Sequence, residues 1–206
     1  MLKTVTVLLG SPRAYPNEFH GDVIGVDYGA YVLAQHHIHM KLALGDFDSV
    51  DQTQFETIIS YSDEIIRLDP IKDESDSEVA LKLCVERGYQ EIHVWGALGS
   101  RQDHAYVNIL LAKRFPQVIL ADDYNLIYTL TKGQKTLSKS DYRYFSVFAL
   151  EESVLSLEGF KYPLIKERFN EQTTLGLSNE ISGKKALITV HQGKVLIIQS
   201  NDTPKQ

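Results

Sequence analysis

Two aspartates one residue apart, Asp46 and Asp48, follow the short apolar run Leu42-Ala43-Leu44 and a glycine, Gly45. In an extended backbone the two-residue period sends both carboxylates to one side. Like charges that close repel unless a cation lies between them, and oxygen-only donors suit a hard divalent ion. A second reading fits the same residues: a polar loop after a strand, whose acids cap the next helix. The stretch alone does not choose between the two.

Further polar residues gather at comparable places. Asp27 and Gly29 follow one apolar run, Asp73, Ser75 and Asp76 another, and Arg101, Asp103 and His104 a third. If each run is a parallel strand, these loops crowd onto the carboxyl edge of one sheet, where open α/β sheets bind ligands. Carboxylates, a divalent cation and an arginine able to grip phosphate oxygens bidentately make up the equipment of phosphoryl transfer. Plainer roles fit some of them: Asp76 suits the first turn of any helix, and Asp103 and His104 can simply open theirs. His36, His37 and His39 have no Cys or acid at zinc-ligand spacing, and Cys84 reads as mid-helix packing. Neither GxxxxGK[ST] nor GxGxxG occurs, so the common phosphate loop and dinucleotide fingerprint are missing.

The elements that must position these groups alternate along the first part of the chain. Apolar, β-branched runs at 3–9, 23–26, 41–44, 64–68, 91–95 and 118–121 predict six strands. Helical spacing predicts helices over 30–37 and 51–60, and in the segments carrying Val79 to Cys84 and Asn108 to Ala112. Ser75 and Glu78 form a capping-box pattern, and Gly88 is placed to end that helix. Residues 13–21 read as a surface loop. Near Asp123 the rhythm changes to short β-rich runs at 126–130, 142–150, 154–157, 186–190 and 195–199; the last two flank His191-Gln192-Gly193-Lys194, a predicted hairpin turn. The expected fold is α/β, a doubly wound, mostly parallel sheet domain over 1–123, followed by an all-β, sandwich-like domain over 124–206.

Composition narrows the class. At 206 residues, 43% hydrophobic and 23% charged, the chain suits a globular protein with a sizeable core. A net charge of −6 with no long basic run argues against nucleic-acid binding. One cysteine permits no internal disulfide, and no apolar run approaches the roughly 18 residues that span a bilayer, so a cytoplasmic protein with no membrane partner is expected.

Five stretches, in order, resemble the bacterial thiamine pyrophosphokinase family. They are Gly45-Asp46-Phe47-Asp48-Ser49, Asp73-Glu74-Ser75-Asp76 through Leu81, Gly96-Ala97-Leu98-Gly99-Ser100-Arg101-Gln102-Asp103-His104 with Asn108, Gly159-Phe160-Lys161-Tyr162-Pro163-Leu164, and Ser178-Asn179-Glu180. Ser75 stands where the family usually carries Thr, and Ser100 where a second glycine is common. The resemblance implies an ATP:thiamine diphosphotransferase that makes thiamine diphosphate and AMP, working as a homodimer, with an ATP-binding catalytic domain first and a thiamine-binding β domain second. It further implies that Asp46, Asp48 and Asp76 hold Mg²⁺ and that Arg101 contacts phosphate. Asp103 would lie near the reacting hydroxyl or the thiamine; Asp27, Asp73, Ser75, His104 and Asn108 would line the nucleotide side; Ser178 and Asn179 would help form the thiamine pocket. Two alternatives remain at this point: a haloacid-dehalogenase-type phosphatase with Asp46 as nucleophile, because Asp46-Phe47-Asp48-Ser49-Val50 fits the DxDx[TV] signature, and a non-catalytic thiamine or nucleotide sensor.

Overall fold

A computed structural model describes residues 2–10, 15–99 and 101–202, and the chain divides into two units, Met1–Asp123 and Tyr124–Gln206. Ser100, residues 11–14 of the loop after the first strand, and the last four residues of the polar tail lie outside the described residues.

In the first unit, strands β1 (Thr4–Leu8), β2 (Asp22–Val26), β3 (Leu42–Gly45), β4 (Ile65–Arg67), β5 (Glu91–Trp95) and β6 (Val118–Ala121) form a sheet of order β6-β5-β1-β2-β3-β4. Every neighbouring pair is parallel, for example Val7 opposite both Ile24 and Val94. Their near-continuous apolar sequences follow from burial on both faces: β3 is buried at all four positions, whereas the edge strand β4 is not. Helices α1 (Tyr28–Gln35) and α2 (Gln52–Ser60) pack on each other, as do α3 (Asp76–Glu86) and α4 (Gln102–Arg114). Leu8, Leu33, Met40, Ala43 and Ile58 join strand to helix in one buried cluster. No described helix is long and apolar enough to cross a membrane.

Among the described residues, helices separate consecutive strands of this sheet except between β1 and β2, the stretch that reads as a surface loop. Tyr15 and Phe19 pack instead against the α1 cluster, with their rings 5.8 Å apart, and the Thr6 hydroxyl accepts from the His20 N–H at 2.7 Å. Two aromatic side chains thus cover apolar surface that a crossover helix would otherwise bury. The chain winds one way through β1 to β4 and the other way into β5 and β6, so the order reverses at β1. Such a reversal opens a crevice at the strands' carboxyl ends.

The second unit is antiparallel, with strands β7 (Asn125–Ser138), β8 (Tyr144–Ala149), β9 (Ser153–Glu158), β10 (Leu164–Phe169) and β11 (Lys185–Ser200). β11 pairs with β7 over nearly its whole length, from Lys185 opposite Ser138 to Ser200 opposite Asn125. Its other edge pairs with β9 through Leu187–Gln192 and with β8 through Val195–Ser200. The predicted hairpin at 191–194 is therefore a bulge inside one sixteen-residue strand, marked by a register shift between Val190 and Lys194. Gly193, at φ 86°, supplies the backbone conformation, and a Cβ there would lie 2.2 Å from Ser153 Oγ. A glycine flanked by two β-rich runs serves a turn or a bulge equally well. Only the long partner β7 distinguishes them.

Candidate active site

The carboxyl ends of β1, β2, β3 and β5 meet the starts of α3 and α4 around a cavity of about 580 Å³, within the range of small-molecule sites. From the strand ends come Gly10, Asp27, Asp46, Asp48 and Ser49; from the α3 start, Ser75, Asp76 and Ser77; from the segment after β5 and from α4, Gly96 to Gly99, Arg101, His104 and Asn108. Local chemistry fixes several of these. Ser75 is the N-cap of α3, its hydroxyl accepting from Glu78 N–H at 3.2 Å. The Glu78 side chain does not return the bond; it pairs with Lys82 and Arg114 instead. The reciprocated capping box lies at α2, between Asp51 and Gln54. Gly88, at φ 78°, follows the C-cap of α3 as expected. Asn108 is buried and donates from Nδ2 to the Ala97 carbonyl at 2.8 Å, fastening the segment after β5 to α4.

Three carboxylates converge in this cavity: one oxygen each from Asp27, Asp46 and Asp76 lies within 4.8 Å of the others. Asp48 lines the cavity but stands outside that group. The extended backbone assumed for the Asp46–Asp48 pair does not occur, because Phe47 turns the chain at φ 59° and buries its ring 5.0 Å from that of Phe55. Asp48 N–H then donates to Asp46 Oδ1 at 3.0 Å, orienting its neighbour's carboxylate. Asp27 occupies the remaining place from a strained backbone of φ 49° and ψ −124°, and Phe47 N–H reaches its Oδ1 at 3.4 Å. Gly45 leaves the room, since a Cβ at that position would fall 1.8 Å from Asp27 Oδ1.

The cluster is short of positive charge. Burial first, then contact with the Asp76 carboxylate, pushes the Asp27 carboxyl up to about 8, with the Asp46 charge adding to the rise. Asp76 Oδ1 is inaccessible to solvent, and although the Lys72 ammonium sits 2.5 Å away, it has no hydrogen bond of ordinary geometry. Contact with Asp76 in turn raises the Lys72 ammonium. Three converging oxygen donors, with Asp76 Oδ1 buried and held only by an ammonium, fit a hard divalent cation. Lys72 escaped the sequence reading, although a lone cation amid Asp69, Asp73, Glu74 and Asp76, four residues before Asp76, was a usable signal.

The remaining expected residues divide. Arg101 and Asp103 form a bidentate pair, Nη2 to Oδ2 at 2.5 Å and Nε to Oδ1 at 3.1 Å, both largely exposed. Arg101, with help from His104 N–H, holds the Asp103 carboxyl down at about 2. Asp103 does not line the cavity, and Asp73 is exposed away from it. In the second unit, Ser178 is exposed at φ 55°, its N–H donating to Ser146 Oγ at 3.0 Å. Asn179 is buried. Its Oδ1 accepts from Tyr162 N–H and Glu180 N–H, and its Nδ2 donates to the Tyr162 carbonyl. Three of the four hydrogen-bonding positions of that amide thus brace backbone.

Comparison with known proteins draws both units together. Residues 19–120 match the model of the thiamin pyrophosphokinase catalytic domain, and residues 134–195 that of the thiamin pyrophosphokinase vitamin B1 binding domain. A thiamine pyrophosphokinase of Bacillus subtilis is 30% identical over 215 residues, covering 98% of this chain and all of the relative. The chain belongs to the thiamin pyrophosphokinase family. Within that family the crystal structure of a Bacillus subtilis thiamine pyrophosphokinase superposes with a TM-score of 0.88 at 29% identity, covering 98% of this chain and 100% of the other. A family protein from Enterococcus faecalis gives 0.87 at 26% over the same shares. The fold extends to the thiamin pyrophosphokinase of Candida albicans, TM-score 0.75 at 17% identity over 97% and 93% of the two chains. Family membership does not favour the phosphatase and sensor alternatives. The expected parallel α/β region followed by a β domain is the architecture of these structures.

Proposed function

We propose that this chain is a thiamine diphosphokinase that transfers the β,γ-diphosphate of Mg·ATP to the hydroxyl of thiamine, giving thiamine diphosphate and AMP. Membership of the family across both units carries the reading, and the Asp27, Asp46 and Asp76 cluster in a cavity at the strand-order reversal supports it. Asp27, Asp46 and Asp76 would hold Mg²⁺, with Asp48 on the same cavity wall. The ion would neutralise charge on the transferred diphosphate. Ser75 and the α3 N-terminus offer donors to phosphate oxygens. The thiamine hydroxyl oxygen bonds to the β-phosphorus and gives up its proton to solvent, the bond from that phosphorus to the α,β-bridging oxygen breaks, and AMP leaves with the electron pair. Arg101, which lines the cavity, would stabilise negative charge growing on AMP. Asp103 orients that guanidinium; ionised near pH 2 while so paired, it is a weak base, so positioning is the better-supported role.

We assign ATP binding and catalysis to residues 1–123 and thiamine binding to residues 124–206, where Ser178 and the remaining Asn179 N–H are the polar candidates. A homodimer is supported by apolar side chains left exposed on each unit: Tyr106, Val107 and Leu110 on α4, and Tyr162, Ile165, Leu175 and Leu177 in the second unit. A reducing, cytoplasmic setting is supported by a sequence whose one cysteine, Cys84, permits no internal disulfide. Incubation with Mg·ATP and thiamine, followed by chromatography, tests the reaction: AMP and thiamine diphosphate are expected. ADP with thiamine monophosphate would instead make it a simple kinase, and thiamine binding without turnover would make it a sensor.

A further inference from the structure

We infer that Lys72 is a resident counter-ion of the three-carboxylate cluster, which a divalent cation must displace, so that this lysine sets the affinity of the metal-free protein for free metal. The inference rests on the reading of the cluster as a cation site. The Lys72 ammonium meets Asp76 Oδ1 at 2.5 Å, and the two side chains keep only 20% and 18% of their surface exposed. The same ammonium donates to the Asp69 carbonyl at 3.1 Å. That carbonyl belongs to a turn shaped by Asp69 itself, whose Oδ1 accepts from Ile71 N–H at 2.8 Å. The lysine is therefore aimed by its own loop.

Its location opposes the local helix. Asp76 opens α3, and a cation beside a helix N-terminus is disfavoured by the dipole, which prefers anions there. The carboxylates repay that cost. Asp76, Asp46 and Asp27 all act on the ammonium, in that order of effect. One positive charge faces the Asp46 and Asp76 carboxylates, with Asp27 keeping its proton in the metal-free protein, and leaves Asp76 Oδ1 without an ordinary hydrogen bond. A divalent ion supplies twice the charge to the same oxygens, and it repels an ammonium that holds Asp76 Oδ1 at 2.5 Å. Metal entry and lysine departure are thus one exchange. Free Mg²⁺ meets a competitor tethered to the site, whereas Mg²⁺ arriving on a polyphosphate brings anionic oxygens that can receive the released ammonium.

The test is Mg²⁺ binding without nucleotide, by titration calorimetry, on the full chain, Lys72→Gln and Lys72→Arg. Removing the competitor in Lys72→Gln is expected to tighten Mg²⁺ roughly fivefold, the upper end for a partly exposed pair. Lys72→Arg keeps the charge and is expected to bind as the unaltered protein does. Equal or weaker binding by Lys72→Gln overturns the inference; no Mg²⁺ binding by either the unaltered protein or Lys72→Gln overturns the cation-site reading with it. A second measurement needs no variant. The rate at which an amine-directed acylating reagent modifies Lys72, read by peptide mass spectrometry, is expected to rise on adding Mg²⁺, and an unchanged rate would refute displacement.

Discussion

Gly45→Ala is the sharpest probe of how the carboxylate cluster is assembled. The added Cβ would lie 1.8 Å from Asp27 Oδ1 and 2.7 Å from its Cγ, against the 3.0 Å below which real Cβ contacts essentially never fall. The Asp27 carboxylate must retreat by about 1 Å, and metal–ligand distances tolerate only about 0.2 Å. Retreat is awkward, since Asp27 N–H lies 3.1 Å from the same Cβ and is already bonded to the Leu44 carbonyl. Gly45 also sits at φ 151°, where an L-residue is strained by about 1–3 kcal/mol. The expected result is Mg²⁺ affinity lowered about 10- to 100-fold, the range for groups that orient metal ligands, with a thermal midpoint several degrees lower. Calorimetric Mg²⁺ titration and a thermal melt with and without the ion measure both. Gly88→Ala is the control: it shares a positive φ of 78°, but its Cβ meets nothing within 4 Å, so it should cost stability and leave Mg²⁺ binding intact. Unaltered Mg²⁺ affinity in Gly45→Ala would refute the assembly of the site around Asp27.

Further outcomes follow from single residues. Asp27 keeps its proton in the folded, metal-free protein up to about pH 8, against 3.8 for the free side chain. Between those values the native state binds the extra proton, so stability without metal should fall as pH rises through that window. Asp27→Asn should flatten that fall in thermal melts, and an unflattened profile would assign it to other groups. Asn108→Ala removes the buried bond to the Ala97 carbonyl; it should cost about 1–3 kcal/mol in denaturant unfolding and raise KM for ATP, and an unchanged KM would separate this brace from the nucleotide. Arg101→Ala should lower kcat on the order of 10²–10³-fold with a smaller change in thiamine affinity, and the reverse pattern would move Arg101 to the thiamine pocket. Asp48→Asn should weaken Mg·ATP binding more than binding of Mg²⁺ alone, because Asp48 stands outside the three-carboxylate group; equal losses would place it among the ligands.

Much of this was legible from residue types. β5 and β6 end where their apolar runs end, and the acids at 27, 46 and 76 each follow a strand onto the same edge, as periodicity and parallel winding require. Less legible was anything depending on one dihedral angle. Phe47 at φ 59° turned an expected Asp46–Asp48 pair into an Asp27–Asp46–Asp76 group, and nothing in the identity of a phenylalanine announces a positive φ. Asn179 read as a pocket residue because Ser178-Asn179-Glu180 matched a motif; that its amide is mostly spent on the backbone of residues 162 and 180 is a tertiary fact. Lys72 went unseen because pattern reading follows the acids in that segment and passes over their counter-ion.

The bent strand β11 bears on how the second unit comes into being. β7, β8 and β9 are each hydrogen-bonded to β11 and, in the registers described, not to one another. During synthesis these strands emerge before the strand that joins them, with open edges and apolar faces from Phe145, Val147, Leu155 and Leu157 still unburied. Closure of the unit thus depends on contacts distant in sequence, the kind of topology that slows folding and leaves edges open meanwhile. A chain cut within 191–194 would keep the half of β11 that holds β9 and lose the half that holds β8.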